Sequence, residues 1–197
     1  MKSVKRENVL DDICTKERNI NTNTLRKVII LAIEIGREGR EGRKIGTMFV
    51  VSDSDKTLKK SKPLILDPLW YHPEKQKNID NPDMWETIKE LAQLDGAFIV
   101  NDDGIIISGC RYINATSTGI DLPLGLGSRH FAAASISKET NAVAVVVSES
   151  SVIRIFDEGK IISEIIPELW LAKRHGIYSK KSFAEKNINQ VTVTSKK

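Results

Sequence analysis

Apolar residues recur every three to four positions in two stretches of the chain. In residues 22–35 the positions that share one helical face are Leu25, Val28, Ile29, Leu31, Ala32 and Ile35. In residues 81–94 they are Trp85, Ile88, Leu91, Ala92 and Leu94. Each pattern predicts an amphipathic helix with one buried face.

Polar cap residues bound both predicted helices. Thr22 or Thr24 opens the first helix and Asn81 or Asp83 opens the second, because short polar side chains there accept hydrogen bonds from free amide groups. Gly36 follows the last apolar position of the first helix, so we expect that helix to begin its end there.

Short runs of mostly apolar residues predict β-strands. They cover residues 45–51, 97–100, 105–113, 142–148, 152–156 and 160–166. Two connections, Asn101-Asp102-Asp103-Gly104 and Asp157-Glu158-Gly159, predict hairpin turns. We interpret Asp102 and Asp103 as turn residues, although two adjacent carboxylates are also compatible with a metal site.

Residues 52–83 are rich in Asp, Lys, Pro and Asn. This composition predicts a long peripheral loop with one short extended piece at Leu64-Ile65-Leu66. Trp70 and Tyr71 in this loop either anchor it to the core or stack on a base.

The length and charge of the chain limit its organisation. A chain of 197 residues supports one good core, and we expect one domain over residues 21–178. Residues 1–20 predict a loosely ordered lead, and residues 179–197 a basic tail that is disordered or lightly packed. The formal net charge of +4 suits an anionic substrate but falls short of a nucleic-acid interface, so no nucleic-acid partner is expected.

The sequence also gives an expectation for where in the cell the protein is located. Its longest apolar runs, such as residues 142–147, are far too short to cross a bilayer, and no signal peptide opens the sequence. We therefore expect a cytoplasmic protein with no membrane segment. Cys14 and Cys110 lie far apart without metal-ligand spacing, so we expect both to stay reduced.

Two polar clusters lie at the ends of predicted apolar elements. Asp95-Gly96-Ala97 closes the second helix, where glycine allows a sharp turn and the close approach of a ligand to the backbone. Gly125-Leu126-Gly127 precedes Ser128-Arg129-His130 at the start of a helix predicted over residues 128–139, with the serine as its expected N-cap.

Together these clusters indicate a nucleotide site. Free amide groups at a helix N-terminus, with Arg129 and His130 in the first turn, favour an anion, and a polyphosphate uses all of them. Each cluster alone has an ordinary alternative: Asp95 is typical of a turn, and Arg129 with His130 of a solvated helix end. Residues 37–44 add three arginines and two glycines. They form either a solvated loop or a loop from which one arginine reaches a triphosphate or a symmetric partner.

In combination these residues resemble the diadenylate cyclase (DisA_N or DAC) domain family, most of all its archaeal members. The matching residues are Asp95-Gly96-Ala97, Gly127-Ser128-Arg129-His130, Ala132-Ala133 and Val145-Val146-Val147-Ser148-Glu149. With the similar segment over residues 32–53, the resemblance covers about residues 25–166. The family often reads Thr-Arg-His-Arg, whereas this chain has Ser128 in place of the threonine and Phe131 in place of the second arginine.

The resemblance implies an α/β fold, a single domain with a central mixed β-sheet flanked by helices. It implies the condensation of two ATP molecules into cyclic di-AMP. Asp95 would be catalytic by positioning or deprotonating a 3′-hydroxyl group, and Glu149 together with Asp95 would bind Mg²⁺ or Mn²⁺. The implied nucleotide-binding residues are Leu94, Gly96, Ala97, Gly127, Ser128, Arg129, His130 and Ser148.

The resemblance also implies a partner of the same kind. The product is two-fold symmetric and each domain holds one ATP, so two domains would associate head-to-head. A non-catalytic adenine-nucleotide sensor on the same fold is the alternative, favoured if Phe131 in place of the second arginine cripples catalysis. A nucleic-acid binder that uses the basic tail ranks last, because few aromatic residues lie among its lysines.

Overall fold

The computed structural model describes residues 10, 13–14, 20–64, 66–116, 118–169, 183–188 and 191–196. Most of the lead expected over residues 1–20, and part of the tail expected over residues 179–197, therefore lie outside the described residues.

A seven-stranded mixed sheet forms the centre of the fold. Its strands are β1 Thr47–Val51, β2 Ser61–Pro63, β3 Ala97–Val100, β4 Ile106–Ile113, β5 Val143–Val147, β6 Ile153–Asp157 and β7 Lys160–Ile165. They are ordered β2-β4-β3-β1-β5-β6-β7 across the sheet. β1 and β3 pair in parallel, and every other neighbouring pair is antiparallel. The predicted mixed sheet is confirmed.

Helices cover both faces of this sheet. They are α1 Thr22–Glu38, α2 Ser54–Lys59, α3 Pro82–Leu91 and α4 Ser128–Glu139. Successive residues of β1 point to opposite faces: Phe49 and Val51 pack into the cluster that contains α1, while Met48 and Val50 pack under α4. This layering confirms the predicted α/β class with a sheet flanked by helices. No helix among the described residues is long and apolar enough to cross a membrane.

The caps of the helices were predicted in part. The Asn81 side chain caps α3 by accepting from the amide of Asp83 at 3.0 Å, as predicted. The cap predicted for α1 was wrong, because Thr22 and Thr24 lie inside the helix. Asn21 is the cap instead, and its side-chain oxygen accepts from the amides of Asn23 and Thr24.

Gly36 does not end α1. The helix continues to Glu38 and ends at Gly39, whose φ of 61° suits glycine. A Cβ atom on Gly36 would lie 3.1 Å from Ile153 Cδ1 and 3.2 Å from the Ser151 carbonyl oxygen. Gly36 therefore serves the close packing of α1 against the start of β6.

The segment predicted as one long loop contains α2 and β2. α2 buries only Thr57, so no apolar face marks it in the sequence. β2 is recognisable only through its pairing with residues 111–113 of β4. This strand, Ser61–Pro63, ends just before the extended piece predicted at Leu64-Ile65-Leu66, where Leu64 and Leu66 are not in a strand and Ile65 lies outside the described residues.

The hairpins were predicted correctly, with one addition in the tail. Gly104, with φ of 78°, turns the chain between β3 and β4, and Gly159, with φ of 79°, turns it between β6 and β7. In the tail, β8 Phe183–Ile188 and β9 Val191–Lys196 form a separate antiparallel pair. The tail was expected to be disordered or lightly packed: these two strands contradict disorder, and light packing stays a prediction.

Candidate active site

Four chain segments meet at one end of the sheet. The parallel register places the starts of β1 and β3 side by side, with Met48 opposite Ala97. β5 runs antiparallel to β1, so Val147 at its end lies opposite Thr47. Gly46, Asp95 and Glu149 therefore gather at this end, and the first turn of α4 reaches the same place.

Arg129 in the first turn of α4 joins the two polar clusters. Its Nη2 lies 3.4 Å from Asp95 Oδ1, and its Nη1 lies 3.5 Å from Glu149 Oε1. Both carboxylate side chains are well exposed, at 80% and 72%, whereas Arg129 is exposed at 35%. One guanidinium group thus lies between two accessible carboxylates, on a wall open to solvent.

The backbone at Gly96 fixes the place of Asp95. Gly96 has φ of +106°, and a Cβ atom there would lie 2.6 Å from the carbonyl carbon of Cys110. Glycine is therefore required both for the turn and for the contact with β4. The amide of Gly96 donates to Asp95 Oδ1 at 2.9 Å, which orients the carboxylate.

The residues next to Asp95 present mainly main-chain groups and apolar surface to a ligand. Ala97 is fully buried in the sheet, so only its main-chain groups are available to a ligand. Leu94 is 46% exposed and provides an apolar surface beside the carboxylate.

The N-terminus of α4 is open to solvent. Gly127 occupies the cap position without a side-chain cap bond, and Ser128 is the first helical residue, so the prediction of Ser128 as N-cap was wrong. The amides of His130 and Phe131 donate to the Gly127 carbonyl. Within the described residues the amides of Ser128 and Arg129 have no acceptor, and both remain for an anion.

His130 points into the protein instead of towards Arg129. Its side chain is buried against Phe156, and its Nε2 lies 3.3 Å from Arg154 Nη1. Burial lowers the pKa of His130, and the positive charges of Arg154 and Arg129 lower it further. A neutral imidazole can accept from Arg154, whose Nε also donates to Glu164 at 2.5 Å.

Ser148 and Glu149 form the turn after β5. Ser148 Oγ accepts from the amide of Ser150 at 3.3 Å and lies 3.0 Å from Ser150 Oγ. The amide of Ser151 donates to the Ser148 carbonyl at 2.8 Å and closes the turn. Glu149 projects from this turn towards Arg129.

This arrangement can be set beside known proteins. The sequence profile of the family described as DAC, DisA bacterial checkpoint controller nucleotide-binding, matches residues 34–161. The chain belongs to this family. The predicted resemblance is thereby confirmed.

Two relatives of this DAC domain are named diadenylate cyclase, and both are archaeal. The protein of Methanocaldococcus jannaschii is 48% identical over 145 residues, which cover 73% of this chain and 46% of that protein. The protein of Haloferax volcanii is 40% identical over 147 residues, which cover 74% of this chain and 54% of that protein. The matched region spans about half the length of these relatives.

Solved structures give more distant likenesses. A double mutant of DacA from Staphylococcus aureus has a TM-score of 0.46 at 19% identity, covering 82% of this chain and 98% of that chain. A hypothetical membrane spanning protein from Bacillus cereus has a TM-score of 0.46 at 20% identity, covering 70% and 61%.

The DAC domain offers two carboxylates for a divalent cation. No group of three or more His, Cys, Asp or Glu side chains with metal-ligand geometry occurs in the described part of the chain. Asp95 and Glu149 are nevertheless both accessible and both within 3.5 Å of one guanidinium group. Mg²⁺ is commonly held by one or two carboxylates together with substrate phosphates, and the side chains of Asp95 and Glu149 carry donor atoms of that kind.

The three arginines of residues 37–44, of which Arg37 lies in the last turn of α1, have different surroundings. Arg37 pairs with Glu38, and Arg40 pairs with Glu86 and Glu90. Arg43 is exposed and has no ion pair within the described residues. Of the three, Arg43 is therefore the arginine that remains available to a ligand or a second domain.

Other polar residues act in the scaffold. Asp102 accepts from the amide of Asn21 at 3.1 Å and from Ser52 Oγ at 2.9 Å, which ties the β3–β4 turn to α1 and β1 and supports the turn interpretation. Leu69 anchors the loop before α3, because it is buried, whereas Trp70 and Tyr71 are exposed.

The sequence did not lead us to predict Arg154 or Gly46 as residues of the site. Arg154 stands in the apolar strand Val152-Ile153-Arg154-Ile155-Phe156, and a charged residue in a buried strand is a signal that it has a partner. Nothing in the sequence indicated that the partner was His130. Gly46 has no local signal, since its neighbours Arg129 and Glu149 lie more than eighty residues away.

Proposed function

We propose that this chain is a diadenylate cyclase domain that condenses two ATP molecules into cyclic di-AMP and releases two pyrophosphates. The observation that carries the proposal is Arg129, which lies between Asp95 and Glu149 at the open N-terminus of α4. Membership in the DAC family and the names of two relatives support it. Because ATP is the proposed substrate, we place the reaction in the cytoplasm.

The proposed roles follow from what each group offers. The main chain from Leu94 to Ala97 receives the adenine, and Asp95 receives the ribose. The triphosphate lies at the N-terminus of α4, where Gly127 leaves room and Ser128 and Arg129 supply donors. Ser148 contacts the terminal phosphates at the other end of this site. His130 is buried, so we propose that it supports the site from below by contacting Arg154.

The proposed reaction is nucleotidyl transfer. The 3′-oxygen of one ATP bonds to the α-phosphorus of the other, the bond from that phosphorus to pyrophosphate breaks, and the 3′-hydroxyl proton passes to Asp95. Asp95 and Glu149 would hold Mg²⁺ or Mn²⁺, which screens phosphate charge when bound. The same transfer in the opposite direction closes the ring. Each domain then supplies one nucleotide, which requires two domains that face each other.

The direct test is incubation of the purified chain with ATP and Mn²⁺, followed by chromatography of the products. We expect cyclic di-AMP and two equivalents of pyrophosphate. Asp95→Asn should keep the fold and bind ATP but lose turnover, because an amide cannot take the proton. Asp103→Asn, an exposed turn residue, is the matched control and should retain turnover. Unchanged turnover in Asp95→Asn would refute the role of this carboxylate.

An adenine-nucleotide sensor is the second candidate. It is favoured by Phe131, which stands where the family often has a second arginine. A sensor would bind ATP about as tightly as a diadenylate cyclase binds its substrate. It would yield no cyclic di-AMP at any protein or metal concentration. The same chromatography, combined with calorimetry of ATP binding, separates the two functions.

A further inference from the structure

We propose that Gly46 is a positioning residue, whose missing side chain provides the room in which the Arg129 guanidinium lies between Asp95 and Glu149. This inference rests on the proposed function, in which Arg129 binds the phosphates of the nucleotide. Gly46 immediately precedes β1, and its backbone passes directly beside the guanidinium group.

The space at Gly46 is taken by two functional side chains. A Cβ atom there would lie 2.6 Å from Arg129 Nη1, 3.3 Å from Arg129 Cζ and 3.1 Å from Glu149 Cγ. Favourable contacts between non-bonded heavy atoms lie at about 3.5–4.0 Å. Even a methyl group on residue 46 would therefore displace the guanidinium from its present place.

Backbone conformation does not explain the glycine. The φ angle of Gly46 is not positive, so its conformation is open to other residues. Gly96 differs in both respects, because its φ is +106° and a Cβ atom there would meet the main chain of Cys110. Only the side chains of the site require a glycine at position 46.

Little else holds the guanidinium in place. Arg129 Nε is buried without a hydrogen-bond partner in the described part of the chain. The two ion pairs at 3.4 and 3.5 Å, together with the backbone at Gly46, therefore define its position. A methyl group at residue 46 would push a flexible side-chain end and leave the main chain in place, so it would change the site more than the fold.

The test compares Gly46→Ala with Gly109→Ala. A Cβ atom on Gly109 would meet Leu69 and Phe98 at ordinary contacts of 3.5 Å, and its φ is not positive, so it is a matched control. Calorimetry with 3′-deoxy-ATP and Mn²⁺ measures binding without turnover. We expect Gly46→Ala to weaken binding at least about tenfold, with a thermal midpoint within about 3 °C of the wild type. Gly109→Ala should bind as the wild type does, and wild-type affinity in Gly46→Ala would overturn the proposal.

A double-mutant cycle shows whether Gly46 acts through Arg129. In an Arg129→Ala background, Gly46→Ala should cause no further loss of affinity, because the displaced group is already absent. An equal loss in both backgrounds would show that residue 46 acts by another route and would overturn the proposal.

A structural measurement separates this inference from the proposed function. In a crystal structure of Gly46→Ala without nucleotide, the guanidinium should have left the carboxylates of Asp95 and Glu149. If it stays within the present distances of both, the inference fails whatever the protein binds. If the wild-type protein neither binds nor converts ATP, the proposed function fails, and the crystal structure still decides how Arg129 is positioned.

Discussion

Arg129 is the residue at which the two polar clusters meet. Its guanidinium group contacts carboxylates on two other segments, although Asp95 lies 34 positions earlier in the chain. The pairs are partly exposed, so they contribute little to stability. In the proposed function these pairs hold a positive charge where a nucleotide phosphate would replace a carboxylate as the partner of Arg129.

Arg129→Ala is therefore expected to weaken ATP binding at least about tenfold while leaving the fold intact, because one charge-assisted contact to phosphate is lost. Calorimetry with 3′-deoxy-ATP, which lacks the reacting hydroxyl group, measures the affinity without turnover, and thermal unfolding checks the fold. Arg37→Ala, which removes a surface arginine paired with Glu38, is the control and should bind ATP normally. Equal affinities in the two variants would contradict the phosphate role of Arg129.

His130 makes stability depend on pH. Its pKa is lowered in the folded protein by burial and by Arg154, whereas an unfolded histidine has a pKa of about 6.5. Below about pH 6.5 the unfolded state binds a proton more readily than the folded state, so the stabilisation present above that pH is lost as pH falls.

His130→Gln should reduce this acid sensitivity. We expect the wild-type protein to lose more unfolding free energy between pH 7 and pH 5 than the variant, as measured by urea titration at each pH. The comparison concerns the slope with pH, so a general destabilisation by the substitution does not affect it. His72→Gln, in an exposed loop, is the matched control. Parallel slopes for the wild type and His130→Gln would contradict this role.

At the scale of elements, the β3–β4 hairpin is tied to its surroundings at the end of the sheet away from the site. Asp102 accepts from Asn21 and Ser52, and its carbonyl accepts from Thr24 Oγ1 at 2.8 Å. The turn is thereby joined to the start of α1 and the end of β1. This connection helps to keep β3 in register with β1, and that register positions Asp95.

Asp102→Ala should destabilise the protein by about 1–2 kcal/mol, because two side-chain hydrogen bonds are lost. Asp103→Ala should change stability by less than about 0.5 kcal/mol, since its side chain is exposed. Denaturant unfolding of both variants measures the difference. Turnover at saturating ATP should be retained in both, and equal stabilities would show that the Asp102 contacts contribute nothing.

At the scale of the whole molecule, one domain has one exposed Asp95 carboxylate and one N-terminus of α4 without a side-chain cap. A product with two equivalent phosphodiester bonds needs two such sites, so the proposed activity depends on pairing. The exposed Arg43 and the accessible carboxylates lie on surfaces that a second domain could approach.

Mixing experiments test this dependence. Specific activity should rise with protein concentration until all domains are paired. In mixtures of wild-type and Asp95→Asn protein, a mixed pair should complete one transfer and stall, releasing a linear dinucleotide and one pyrophosphate. Mixtures with Asp103→Asn should give only the cyclic product. Specific activity independent of concentration, with no linear product, would contradict separate roles for two facing domains.

The sequence by itself determined the elements whose signals are local. The helical spacing of apolar residues in α1 and α3 is visible within a short stretch of sequence. The apolar runs of β1, β5 and β6 are visible in the same way. The two glycine turns and the start of α4 also depend on neighbouring residues alone. The family was recognisable for a similar reason, because its motifs are short and contiguous.

Only the tertiary structure decided which distant residues touch. α2 has no apolar face, β2 exists through its pairing with β4, and Gly36 serves packing against Ile153 although it resembles a helix end. The same holds in the site, where His130 turns inward to Arg154 and Gly46 makes room for Arg129. Such contacts depend on the order and register of the strands, which join segments far apart in the chain and leave no periodic trace in it.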